Sequence, residues 1–289
     1  MAVYEHVWRP YEGPLTPGRA RFLVIPRDAW RRAVGSRAFI FFAAICLVGP
    51  ASAAVLIYLR HNLLALSALN ISASLFATSL PIDGRFFSIV LSAQGFLAFL
   101  LALFEGPSLI APDLANNGLA LYFSRPLTRW EYVLGKFCAL AAIMSFITWV
   151  PVMLLFVFQA ALEGGPWLSA NGRFGISILL ASWIWIVLLA LMTMTASAWV
   201  KRKPLAAALV LAFFFVSRGM AGALNLVYGT WLGDLINVPG LTATVQARLF
   251  GLEPPTEVPI ALAWGALLAF CALCLWLLAR KVRAYEVVR

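Results

Sequence analysis

Few residues in this sequence have the types and spacing that catalysis requires. The two histidines, His6 and His61, lie in separate loops, and no H-E-x-x-H pair is present to bind zinc. There is no G-x-x-x-x-G-K-[ST] loop to hold nucleotide phosphates and no G-x-S-x-G elbow to expose a nucleophilic serine. Cys271 and Cys274 form a C-x-x-C pair inside an apolar run, where packing is a simpler interpretation than redox chemistry. We therefore predict no catalytic residue and no metal site.

The segment 105–136 combines charged residues with helix signals. Pro112 followed by Asp113 predicts the start of a helix, with the Asp113 carboxylate near the positive end of the helix dipole. Leu114 and Tyr122 then recur at helical spacing. This pattern predicts a first short helix with one apolar face.

A basic turn follows in the same segment. Pro126 ends the first helix at Ser124–Arg125, because a residue before proline resists helical geometry. Thr128 and Glu131 are three residues apart and predict a capping box at the start of a second helix. The sequence thus predicts two short helices joined by a basic turn, with more order than a simple connection needs.

The amino-acid composition indicates the kind of helices that flank these segments. Of 289 residues, 63% are hydrophobic and only 12% are charged, which is about half the charged fraction of a soluble domain. A soluble protein of this length cannot bury so much apolar surface, so soluble enzymes are excluded. Five uncharged runs are long enough to cross a bilayer of about 30 Å as helices, and residues 205–229 form a sixth apolar run that carries Arg218 near its middle. We predict an all-α polytopic membrane protein with six transmembrane helices, at residues 38–59, 86–104, 137–160, 174–199, 205–229 and 258–279.

A further uncharged run lies at residues 63–82, but it fits a membrane span less well than the six runs above do. Its polar residues form one helical stripe, which is more typical of a helix on the membrane surface. The region 230–257 is predicted to be an external loop or a re-entrant segment. A seventh span would also disturb the distribution of basic residues between the two sides.

That distribution predicts the orientation of the chain. With six spans, 17 of the 22 basic residues fall on one side, and five fall on the other side: Arg60, Arg85, Arg173, Arg218 and Arg248. The positive-inside rule then places the N- and C-termini in the cytoplasm. The net charge of +10 is explained by anchoring beside anionic headgroups, so we predict no nucleic acid partner.

The cytoplasmic N-terminus, residues 1–37, includes a basic amphipathic stretch. Pro26 is suited to the first turn of a helix. Arg27 and Arg31 lie on its polar face, whereas Trp30 lies on the apolar one. Such a helix belongs in the headgroup layer of the lipid bilayer. It is either a plain interfacial anchor or an elbow helix that turns the chain into the first span.

The run LIAPDLANNGLALYFSRPLTRWEYVLGK resembles the first cytoplasmic loop of ABC-2 type transporter permeases. Those proteins often have an aspartate in a short helix, a Y-x-S-R-P-x-[ST]-R turn, and a G-K pair that leads into the third span. The six spans and the amphipathic N-terminal helix agree with the resemblance along nearly the whole chain. The matching residues are Asp113, Tyr122, Ser124, Arg125, Pro126, Thr128, Arg129, Tyr132, Gly135 and Lys136.

The resemblance implies one permease domain over residues 1–289 in the inner (plasma) membrane. It implies a partner ATPase subunit that binds ATP and Mg, so this chain would bind no cofactor and would not be an enzyme by itself. A second permease chain, identical or related, would complete the path. The residues that would couple to the ATPase are Asp113, Leu114, Tyr122, Ser124, Arg125, Pro126 and Arg129. The arginines also fit the positive-inside rule without coupling.

The function implied is that of the membrane subunit of an ATP-driven exporter. The alternative is a non-transporting anchor subunit of an ATPase-linked secretion or envelope assembly. An anchor subunit would share the spans and the ATPase docking, but it would lack a continuous polar path.

Arg218 has two interpretations. An arginine inside a span costs about 2.5–3.5 kcal/mol on insertion scales, so its side chain is expected to face protein or water. It either lines the translocation path and contacts an anionic group of the cargo, or it has a structural role. In the structural role it pairs with Asp234 or Glu163, or reaches toward the interface.

Overall fold

The computed structural model describes residues 22–62, 81–116, 128–200 and 202–282. Within these ranges the chain is helical and contains no β-strand. A 3₁₀ turn, Leu232–Ile236, precedes the tenth helix. The helices are α1 Val24–Gly35, α2 Arg37–His61, α3 Gly84–Glu105, α4 Pro107–Ala115, α5 Arg129–Ile147, α6 Trp149–Glu163, α7 Gly165–Asn171, α8 Arg173–Trp199, α9 Lys203–Tyr228, α10 Val238–Leu249 and α11 Ile260–Lys281.

Six helical stretches in this part of the chain are long and apolar enough to cross a membrane, which confirms the all-α, six-span prediction. They are α2, α3 with most of α4, α5 with α6, α8, α9 and α11. The third stretch, Arg129–Glu163, begins eight residues before the uncharged run from which it was predicted. The 63–82 helix falls almost wholly outside the described residues, as do both chain ends. The cytoplasmic location of the termini therefore stays a prediction.

The helix α8 forms the centre of the bundle. It packs against α3, α4, α5, α6, α9, α10 and α11. Of its most apolar stretch 61% is buried, against 22% for α2 and for α9 and 17% for α11. The outer helices thus present large apolar side chains, such as Phe41 and Phe215, on the surface where lipid is the natural solvent.

The first span contains a proline whose effect is compensated by a neighbouring helix. Pro50 has no N–H, so the carbonyl of Cys46, one turn earlier, loses its helical partner. Gln94 of α3 donates to this carbonyl from Nε2 at 2.9 Å. Gln94 is buried, and a neutral amide is suited to this task because it adds a donor without adding charge.

The third span is broken into α5 and α6 at Thr148. Pro151 lacks the N–H that would reach Ile147, and its ring clashes with that carbonyl. Thr148 leaves helical geometry at φ −89° and ψ −90°. Its hydroxyl donates to the carbonyl of Met144 at 2.9 Å. The break therefore lies beside the proline, and the Thr148 hydroxyl adds a second hydrogen bond to a carbonyl that the Thr148 N–H already reaches at 2.9 Å.

The Gln94 contact predicts a measurable coupling between the first two spans. Gln94→Leu is expected to lower the melting temperature in detergent, with a cost of about 1–3 kcal/mol, because the Cys46 carbonyl is left unpaired. In a Pro50→Ala background the helix can supply its own N–H, so the same change is expected to cost much less. Tryptophan fluorescence melts of the two single variants and the double variant provide the measurement. An equal loss in both backgrounds would contradict this account of Gln94.

Candidate coupling site and membrane cleft

A buried polar cluster joins the end of the second span to the base of the third. The Asp113 carboxylate of α4 accepts a hydrogen bond from the Tyr132 hydroxyl at 2.6 Å. The same oxygen, Oδ2, lies 2.8 Å from Nζ of Lys136. Tyr132 is fully buried and Lys136 is 8% exposed. We call these three residues the Asp113 clamp.

The clamp is well suited to fix the geometry of α4 on α5. Tyr132 and Lys136 are one turn apart on α5, so both side chains reach the same carboxylate. The Lys136 ammonium also lies over the Tyr132 ring, 5.4 Å from its centroid. A buried ion pair with hydrogen bonds is a specific contact, because removal of either partner leaves a buried charge.

A second contact fixes α4 on the central helix. The Ser197 hydroxyl of α8 accepts from the backbone N–H groups of Ile110 and Ala111, at 3.1 and 2.9 Å. It also donates to the carbonyl of Pro107 at 3.0 Å. The hydroxyl thus stands between Ala111 and Pro107, which an unbroken α-helix would join directly.

The close approach of the two helices depends on Gly106, at the junction of α3 and α4. A Cβ atom at this position would lie 2.5 Å from Cβ of Thr193 on α8. Only glycine leaves room for the bend and for the Ser197 contact that follows it. The second span is therefore held against α8 along its length, including the turn that leads to Asp113.

Two predictions for this segment are wrong in detail. Asp113 lies near the end of α4, because the helix starts at Pro107 and contains Pro112 in its interior. The capping box of Thr128 and Glu131 is present, with both reciprocal hydrogen bonds, but it starts α5, which continues directly into the third span. A separate second short helix does not form, since nothing breaks the helix before Thr148.

Most of the predicted coupling residues lie in the sequence between the end of α4 and the start of α5. Tyr122, Ser124, Arg125 and Pro126 are outside the described residues, and so is the side chain of Leu114. Arg129 is the first residue of α5, and its side chain is exposed. The structure therefore describes the residues on either side of segment 117–127, namely the Asp113 clamp at α4 and the capped start of α5.

The N-terminal helix α1 packs along the base of the third span. Ile25 lies against Gly135, where a Cβ atom would stand 2.8 Å from Cδ1 of Ile25. Trp30 meets Phe146 edge to face, with ring centroids 5.8 Å apart. Arg27 and Arg31 are exposed on the opposite side. The amphipathic helix is therefore present, and its location at the membrane surface stays a prediction.

A cleft of about 360 Å³ opens between α3, α8, α9 and α10. Its walls are mainly aromatic and aliphatic, and the Phe214 ring contacts those of Phe99 and Trp185. Arg218 of α9 lines this cleft and is exposed. We call this cavity the Arg218 cleft.

The helix α10 closes one wall of the cleft. This helix belongs to the predicted external region 230–257, and it packs against α8, α9 and α11. Gln246 of α10 places Nε2 within 3.0 Å of the Ser88 carbonyl and hydroxyl and 2.9 Å from the Ser92 hydroxyl. This amide contact ties α10 to α3 across the cleft.

The structural partners considered for Arg218 are not used. Glu163 instead pairs with His61, at 3.3 Å, and accepts a hydrogen bond from Gln159. Asp234 makes no ion pair with Arg218. Within the ranges that the structure describes, no residue forms an ion pair or hydrogen bond with Arg218.

Sequence reasoning missed the polar residues that join the spans: Gln94, Ser197 and Gln246. The available signal was a polar side chain inside or beside an apolar run, since such residues usually have a partner within the bundle. In the same described part of the chain, no group of three or more His, Cys, Asp or Glu residues could hold a metal ion. The features of the candidate site in this part of the chain are therefore contacts between helices.

The clamp predicts a strong asymmetry between single and double changes. Asp113→Asn is expected to lower the melting temperature, with a cost of about 3–5 kcal/mol, because Lys136 stays buried without its carboxylate. Asp113→Asn with Lys136→Met is expected to recover most of that loss. Asp28→Asn is the matched control, since Asp28 pairs with Arg32 on an exposed surface of α1 and should cost at most about 1 kcal/mol. Equal losses for the Asp113 and Asp28 variants would show that the clamp adds no stability.

The comparisons with known proteins agree with this architecture. A family model described as ABC-2 family transporter protein matches residues 24–281, which is most of the chain. The match begins at the first residue of α1 and ends at the last residue of α11. A search of curated proteins gives no match. On the strength of the family match, this chain belongs to the ABC-2 family of transporter proteins.

Proposed function

We propose that this chain is the membrane-spanning subunit of an ATP-driven exporter and couples to a separate ATPase subunit. In this proposal the partner subunit binds ATP and Mg, and this chain supplies the path through the inner (plasma) membrane. A second permease chain, identical or related, completes that path. The family match supports transport, and the proposal adds the direction, the partners and the residues that couple them.

The observation that carries the proposal is the Asp113 clamp. It joins the two helices that flank segment 117–127, since α4 ends at Ala115 and α5 starts at Arg129. A force applied to this segment therefore acts on the second and third spans as one unit. Ser197 extends the same connection to the central helix α8. Coupling between two subunits requires a firm mechanical connection of this kind between their binding surface and the moving helices.

The charge on this side supports an acidic partner surface. Arg129 is exposed beside the loop, and Arg125 lies within the loop sequence. Arginine forms bidentate contacts with carboxylates, so a pair of arginines can both position and bind an acidic groove.

The Arg218 cleft favours transport over the alternative of an anchor subunit. A charged side chain inside a span is expensive, and a purely structural subunit would be expected to pair it. Here Arg218 faces a cavity and forms no ion pair with the part of the chain that the structure describes. A cavity with an available cation is the arrangement that a subunit with a cargo requires.

Reversal of charge at the loop tests the coupling proposal directly. Affinity purification of the wild-type chain from its native membrane in mild detergent is expected to recover a P-loop ATPase in a stoichiometric amount. Arg125→Glu with Arg129→Glu is expected to reduce that recovery at least tenfold, because two attractive contacts become repulsive. Mass spectrometry of the purified complex gives the stoichiometry.

The matched control is Arg85→Glu with Arg248→Glu, two exposed arginines predicted on the opposite side. This control should leave the ATPase recovery unchanged. Full recovery with both pairs of changes would refute the coupling residues, but not the permease. A wild-type chain that is purified alone in several detergents would refute the ATPase partnership.

A further inference from the structure

The Arg218 cleft has one charged group on mainly apolar walls, and the amide of Gln246 bonds to the Ser92 hydroxyl at its edge. The hydroxyls of Thr148, Ser182 and Thr242 each donate to a backbone carbonyl of their own helix region, at 2.7–2.9 Å. The indole N–H of Trp185 donates to the Gly95 carbonyl at 2.8 Å. These donors are therefore already used, whereas the guanidinium of Arg218 offers five N–H groups.

The depth of Arg218 separates it from arginines that contact ordinary headgroups. It lies about 15 Å from the end of α9 at Tyr228 and about 22 Å from the start at Lys203, from the rise of an α-helix. The hydrocarbon core is about 30 Å thick and α9 is about 39 Å long, so a centred α9 places the Arg218 backbone about 10 Å inside the core. A headgroup that meets Arg218, even with the side chain extended toward the interface, is drawn inward from the headgroup layer.

The cleft is open toward the lipid. Phe96 of α3 and Phe215 of α9 line it and are 61% and 71% exposed. A volume of about 360 Å³ is at the lower end of the range of about 300–1,000 Å³ for small-molecule sites. It suits a compact headgroup with the start of one alkyl chain, while the rest of the chain remains in the bilayer.

We propose that the Arg218 cleft binds an anionic amphiphile, with its negatively charged headgroup on Arg218 and its alkyl chain between Phe96 and Phe215. The amphiphile reaches the cleft sideways from the bilayer. The scarcity of free hydrogen-bonding groups disfavours a sugar or a peptide, which would leave several polar groups unpaired. This inference rests on the proposed function, because it assigns the cleft to the cargo of that exporter.

The test measures lipid binding to the purified full-length chain in a neutral detergent. Native mass spectrometry compares dioleoyl phosphatidylglycerol with dioleoylglycerol, which has the same alkyl chains and no charge. The wild type is expected to prefer phosphatidylglycerol at least tenfold. Arg218→Gln is expected to remove this preference, and Arg218→Lys is expected to keep most of it. Arg248→Gln, an exposed arginine outside the cleft, is the matched control and should change nothing.

A second variant tests the location of the alkyl chain. Ala243 lines the cleft from α10, so Ala243→Phe fills it without a change of charge. This variant is expected to weaken the binding of both lipids several-fold. Gel filtration and the melting temperature show whether Arg218→Gln is folded. If it is not, Ala243→Phe tests whether the lipid binds in the cleft.

Four results would overturn the inference. They are equal preference in the wild type and in Arg218→Gln, full binding by Ala243→Phe, and equally strong competition by glycerol 3-phosphate, which would indicate a free anion site. The fourth is a wild-type dimer that binds neither lipid, which would place a second copy of the chain in the cleft.

The assay needs no ATPase, so its failure is distinct from failure of the proposed function. Selective binding without an ATPase partner would keep the site and refute the exporter. A stoichiometric ATPase without selective lipid binding would keep the exporter and refute this ligand.

Discussion

Inside a bilayer no water is available for an unpaired backbone carbonyl or N–H group, and this constraint explains the least regular parts of the bundle. Three spans contain a proline beyond their first helical turn, and a polar side chain bonds to the backbone close to each of these prolines. Gln94 donates to the carbonyl that Pro50 leaves free, the Thr148 hydroxyl donates to the Met144 carbonyl at the break before Pro151, and Ser197 inserts into the turn of α4. Two of these three contacts come from a different helix. The same residues that repair the backbone therefore also fix the positions of the spans relative to one another.

The contacts divide the bundle into a firmly joined half and a more open half. On the side of the loop 117–127, α4, α5 and α8 are connected by the Asp113 clamp and by Ser197. At the Arg218 cleft, α9 faces α3 across a cavity, and the amide of Gln246 provides a tie from α10. A rigid region next to an open cavity is a natural basis for a two-state change, because a displacement of the rigid part alters the cavity instead of dissipating in soft contacts.

Local patterns in the sequence were sufficient to predict the membrane-spanning helices and the start of one helix, α5. Five uncharged runs and one apolar run interrupted by Arg218 predicted six membrane-crossing helices, and the three-residue spacing of Thr128 and Glu131 predicted the capping box. The position of Asp113 in its helix was mistaken because Pro107 and Pro112 are both suited to the first turn of a helix, and the local sequence does not distinguish between them. Asp113 and Lys136 are 23 residues apart, so no local period connects them. The surroundings of Arg218 were equally beyond local patterns, because they depend on four helices from separate parts of the chain.

The packing of α1 on Gly135 has a consequence for how the chain is made. The face of α1 that includes Ile25, Ala29 and Ala33 contacts α5, which is synthesised more than ninety residues later. At about 5–20 residues per second, a nascent chain spends about 5–20 s with this face uncovered. The basic residues and Trp30 of α1 favour the headgroup region during that interval. We therefore predict that the membrane surface serves as a temporary partner for α1, until the third span is inserted and Gly135 at its base provides the permanent one.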